Sequence, residues 1–218
     1  MKYLIEVGIV VLLLTLFARV LHGWKNVLLI SKYYATIFAV AFLYVPIAVM
    51  WIKKRQMDFL DTSVSMFVRG IIFFALTALI VFPPYALGAH LWMMFIWGRQ
   101  GFSAAPFPDL WQTVVFQILL IALPEEFLFR GYMQGTLNKV FTGRKRFFGA
   151  SIGWALPITS VVFAFAHSFV HYEWWHFSIF FPALLFGWLR EKTGSITAPI
   201  LFHAASNILS DWIARSYF

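Results

Sequence analysis

The stretch LWQTVVFQILLIALPEEFLFR, Leu110 to Arg130, decides how this chain is read. Its run from Leu110 to Phe129 is long and apolar enough for a membrane helix, which needs roughly 20 predominantly apolar residues. Yet two carboxylates, Glu125 and Glu126, sit side by side within it. An ionisable group at that depth costs roughly 2.5–3.5 kcal/mol on insertion scales and is a functional candidate by default. Arg130 follows Glu126 by four residues, the spacing and polarity that let the two meet on one helical face. Glu125 lies about 100° further around the helix and has no such counter-ion. Desolvation without a counter-ion favours the neutral form of a carboxyl group, and a group that exchanges protons near neutral pH is what acid–base catalysis requires. Glu126 with Arg130 therefore reads as structural and Glu125 as reactive. The plainer alternative is that all three form only an ion cluster that locks the helix.

The rest of the chain has the same solvent. Of its 218 residues, 61% are hydrophobic and 12% charged, and the mean hydropathy is +0.80, well beyond a soluble domain. The expected fold is all-α, one polytopic membrane domain over residues 1–218, with spans at about Tyr3–Val20, Val27–Trp51, Ser65–Phe82, Leu110–Phe129, Pro157–Trp174, Trp175–Leu189 and Ile196–Ile213. That makes seven helices. Pro83-Pro84 is expected to stop the third, and Tyr85–Trp97, with His90, Trp92 and Trp97, forms an interfacial or re-entrant segment or an eighth span. The apolar run after Lys2 lacks a small-residue cleavage site and reads as a retained first span.

Charge supplies the orientation. The net +8 comes from short basic runs, Lys53-Lys54-Arg55, Arg144-Lys145-Arg146 and Arg190 with Lys192, which one seven-span path brings to a single, cytoplasmic side together with the N-terminus. Phe141 to Gly153, basic and aromatic, is expected to lie along the membrane surface. Basic runs between spans argue against nucleic-acid binding. No Cys is present, which excludes disulfides, thiolate nucleophiles and sulfur-bound metal.

Two histidines fall inside apolar helices, His167 in VVFAFAH and His203 in PILFH, and Asn207 shares a face with His203 four residues on. A lone membrane histidine is often only an interhelical hydrogen-bond partner. Counting about 1.5 Å per residue from inner helix ends at Tyr132, Ser195 and Pro157, Glu125, His203 and His167 all fall roughly 10 to 15 Å below the cytoplasmic surface. His22, His90, His171 and His176 read as interfacial.

In order and spacing, Glu125-Glu126-Phe127-Leu128-Phe129-Arg130, Phe163 to His167 and His203 to Asn207 resemble the EExxxR, FxxxH and HxxxN motifs of the CAAX protease and bacteriocin-processing family of intramembrane endopeptidases. Gly194 to Leu201 also looks like that family, and the resemblance covers about Leu110 to Asp211. It implies a glutamate-dependent peptidase: Glu125 and His167 activate a water, His203 and Asn207 stabilise the oxyanion as neutral donors, and Glu126 and Arg130 hold the first motif in place. No cofactor is expected; were the enzyme metal-dependent, Glu125, His167 and His203 would be the zinc ligands. The implied substrate is a membrane-anchored protein or peptide cut near the cytoplasmic side, in a bacterial inner membrane. The readings from other classes are a transporter or channel with a buried Glu/His/Arg proton relay, and an inactive scaffold or immunity protein on the same fold.

Overall fold

A computed structural model describes residues 1–107 and 109–218. The fold is mostly helical. Its helices are α1 (Lys2–Gly23), α2 (Leu28–Ile52), α3 (Val64–Phe95), α4 (Leu110–Val140), α5 (Ala155–Val170), α6 (Phe180–Thr193) and α7 (Thr197–Ser216). Of these, α1 to α4 are long and apolar enough to cross a membrane; α5 is apolar but shorter. Their length and apolarity make the chain an integral membrane protein. Many large apolar side chains face outward, among them Leu12, Leu79 and Ile80, as lipid requires.

The helix bounds differ from the expected ones where tertiary contacts override local signals. Pro83-Pro84 does not end α3, which runs on to Phe95. Both prolines are exposed, and α7 supports the helix on either side of them: Phe74 and Phe82 pack on Phe202, Tyr85 bonds Ser210, and His90 bonds Tyr217. Tyr85–Trp97 is thus mostly a continuation of the third helix, and no separate eighth helix forms there. The expected spans at Pro157–Trp174 and Trp175–Leu189 are shorter helices joined by a 3₁₀ turn over Trp174–Ile179. Gly194, at φ +81°, closes α6 in the left-handed conformation that favours glycine.

Nor is the fold purely helical. Within Phe141–Gly153 two short strands, β1 (Arg144–Phe147) and β2 (Ala150–Gly153), pair antiparallel. Phe148 and Gly149 turn the hairpin at φ 45° and 76°, the positive-φ pair that suits a two-residue connection.

One end of the bundle is tied by polar contacts. Arg55 donates to Glu6 at 2.6 Å, and the Tyr132 hydroxyl donates to the other oxygen of Glu6 at 2.9 Å. Glu191 of α6 accepts from Gln134, Asn138, Arg144 and Arg190. Beside this layer, Phe59 rests against α4 at Gly131, where a Cβ would lie 2.5 Å from the ring. Its carbonyl accepts from the Ile196 N–H just before α7. The other end is aromatic, with Trp92 on Trp174 and Trp97 against Trp175.

Candidate active site

Two π-helical turns, Gln117–Ala122 and Phe127–Gln134, flank the four residues that carry both carboxylates. Pro124 accounts for part of this: it has no N–H to donate and its ring crowds the carbonyl of the preceding turn. The wider turn ahead of it relieves that crowding. Such π turns inside helices recur at functional sites.

Glu126 and Arg130 are fully buried. The Arg130 Nη1 donates to Glu126 Oε1 at 3.0 Å, and Nη2 donates to the Ala183 carbonyl on α6 at 3.2 Å. The guanidinium lies between aromatic faces, 4.1 Å from the Phe163 ring centre and 5.0 Å from that of Phe186. Such cation–π contacts strengthen when water is excluded.

Glu126 has a second partner that the sequence did not reveal. The His203 Nδ1 lies 2.9 Å from the same Oε1. A carboxylate already accepting from arginine can only accept again, so Nδ1 carries the proton. The ring stacks on Phe186 at 5.0 Å and 18°, which aims Nε2 at Glu125, 3.9 Å from Oε2. On α5 the His167 Nδ1 donates to the Phe163 carbonyl at 2.9 Å, so its Nε2 also faces Glu125 Oε2, at 3.6 Å. Both imidazoles are thus oriented through Nδ1 with Nε2 toward one oxygen. Glu125 is 8% exposed, and among the described residues no group hydrogen-bonds that oxygen.

These tautomers revise one expectation. With Nδ1 donating to Glu126, a neutral His203 has no proton on Nε2 to give. Donation from Nε2 requires the imidazolium.

Asn207 lies on the same cavity wall as His203 and donates from Nδ2 to Gln117 at 3.0 Å. Gln117, in the first π turn, also escaped the sequence reading; a polar side chain eight residues before Glu125 in an apolar helix was the available signal. Among the described residues, no group of three or more His, Asp or Glu side chains has a metal-holding arrangement.

Glu125, His167 and Ile121 form the wall between two cavities. The larger, about 720 Å³, runs between α3, α6 and α7 past His203, Asn207 and Ser210. The smaller, about 230 Å³, runs between α1, α2 and α5 past Thr15 and Tyr34 to His22, His171 and His176. These three histidines, expected to be merely interfacial, gather at its far end, with His22 and His171 ring centres 5.0 Å apart and His171 and His176 6.3 Å apart. Burial, reinforced by His167 and His171, holds His176 below the ordinary histidine pKa.

The depth count also changes. α4 does not end at Tyr132 but continues to Val140, and His167 lies three residues from the end of α5. Between Glu125 and the basic end of the bundle the space is filled by Phe59, Phe127, Leu128, Phe129 and Arg130, all buried. The cavities lead the other way.

Searches of curated proteins and of solved structures each returned no match. Residues 107–209 match the model of the family described as type II CAAX prenyl endopeptidase Rce1-like. The match takes in Glu125, Glu126, Arg130, His167, His203 and Asn207. Residues 107–209 of this membrane protein are therefore similar to the Rce1-like type II CAAX prenyl endopeptidases, in agreement with the resemblance carried by the three motifs.

Proposed function

We propose that the chain is an intramembrane endopeptidase in which Glu125 activates water against a peptide bond of a membrane-anchored protein or peptide. The observation that carries this reading is the unbonded Glu125 Oε2, faced by two imidazole Nε2 atoms at 3.6 and 3.9 Å. The protease family favours it over transport.

The chemistry follows from the tautomers. Neutral His167 offers a lone pair at Nε2, and Glu125 offers a carboxylate oxygen beside it. A water between them donates one hydrogen to each and is held with its own lone pair turned outward. Glu125 takes a proton as the water oxygen bonds to the scissile carbonyl carbon, a general-base step. The developing oxyanion accepts from the Nε2–H of His203 as imidazolium and from the second Nδ2 hydrogen of Asn207. Glu125 then gives its proton to the departing amine, the C–N bond breaks, and a carboxyl group and an amine leave.

No metal is needed by this scheme. Activity should survive metal stripping verified by elemental analysis; zinc at about one equivalent per chain with zinc-dependent recovery would replace the scheme by a metal-dependent one.

The function itself is tested by mapping new termini of membrane proteins by mass spectrometry in cells carrying the wild-type chain or Glu125→Gln. Termini that depend on the wild-type chain and vanish in the variant are expected. Identical terminal maps would remove the protease reading.

A further inference from the structure

The two ends of the bundle differ in charge as well as in packing. Contacts identify which ends lie together. At one end Glu6 meets Arg55, Arg144 meets Glu191, and Arg69 donates to the Lys192 carbonyl at 2.8 Å. This end carries Lys2, Lys53-Lys54-Arg55, Arg69, Lys139, Arg144-Lys145-Arg146, Arg190 and Lys192. At the other, Arg19 donates to the Val170 carbonyl at 3.0 Å, His22 meets His171, and Gln100 donates its N–H to the Phe218 carbonyl at 2.9 Å. That end carries only Arg19, Lys25, Lys32, Arg99 and Arg215. Basic flanks remain on the cytoplasmic side of a membrane protein.

The site opens at the basic-poor end. Along α1 the smaller cavity is lined by Thr15, Ala18 and then His22, next to the helix terminus at Gly23. Along α5 its lining passes from His167 through Val170 to His171, beyond the helix end. Along α7 the larger cavity continues from His203 through Asn207 to Ser210, away from the basic start of that helix. Toward the basic end the buried plug of Phe59, Phe127 and Leu128 seals Glu125 off.

We propose that the catalytic cleft faces the extracytoplasmic side, so that the enzyme takes membrane-anchored polypeptides already translocated, with the scissile bond presented from the outer half of the bilayer. The substrate class rests on the protease reading above; the orientation does not. It reverses the cytoplasmic placement expected from counting residues to Tyr132.

The absence of Cys makes the test direct. Single cysteines at exposed positions outside the machinery report each face of the full-length chain: Asn26→Cys and Tyr172→Cys at the cleft end, Gln56→Cys and Lys145→Cys at the basic end. Intact bacterial cells expressing each variant are treated with a membrane-impermeant maleimide, before and after permeabilisation. The expected result is full labelling of Asn26→Cys and Tyr172→Cys in intact cells, with Gln56→Cys and Lys145→Cys labelled only after permeabilisation. The reverse pattern, or equal labelling of both pairs in intact cells, overturns the proposal. Two positions per face keep the result readable if one variant fails to fold. The assay needs no proteolysis, so loss of the protease reading and loss of the orientation remain distinguishable.

Discussion

Glu125 and Glu126 are neighbours in the chain and stand on opposite sides of a boundary in the molecule. Below Glu126, toward the basic end, side chains are paired and packed: Arg130 and His203 share its Oε1, Phe163 and Phe186 enclose the guanidinium, and the Glu6 and Glu191 clusters tie the helices beyond. Above Glu125, the space is open, lined by histidines and aromatic rings, and its Oε2 has no hydrogen-bond partner among the described residues. One carboxylate is fixed by everything around it, and the other keeps an oxygen turned to the cavities. A helix turn of about 100° per residue is enough to separate the two roles.

Substitutions on either side of the boundary should therefore fail differently. On the open side, His167→Ala should lower the catalytic rate by about 10² to 10⁴, the usual contribution of an acid–base partner, with the melting curve in detergent little changed. A large fall in melting temperature would move His167 to the structural side.

On the closed side, Glu126→Gln or Arg130→Ala strands a buried charge and should cost about 3–5 kcal/mol of stability. Unchanged melting of both variants would dissolve the comparison.

This division was partly legible in the sequence. The Glu126–Arg130 pair could be read because a helix brings residues four apart together. The second partner of Glu126 could not, because His203 lies 77 positions away and only packing of α7 against α4 joins them. Likewise the motifs named Glu125, His167 and Asn207 as candidates, but not the direction in which the cleft opens. That direction depends on α4 continuing past Tyr132 to Val140 and on the filling of its basic side by Phe59, a loop residue with no helical period to announce it. Pro83-Pro84 misled because the rule for an isolated helix gave way to the contacts of α3 with α7.

Asn207 tests the far wall of the cleft. Asn207→Ala should lower kcat by about 10² to 10³, with KM little affected, because the interaction strengthens only in the transition state. A rise in KM at constant kcat would make Asn207 a substrate-binding group instead. The smallest effect belongs to the tied end: Tyr132→Phe removes the hydrogen bond to Glu6 and should cost about 0.5–1.5 kcal/mol without altering turnover. Loss of activity there would couple the two regions more tightly than their separation implies.

The most direct test is the turnover of purified, lipid-reconstituted Glu125→Gln on a substrate identified from its terminus. Gln keeps the size of the side chain and removes its ability to take a proton. The account predicts a rate lowered by about 10² to 10⁴ in a protein that melts as the wild type does. Near-normal turnover would contradict it.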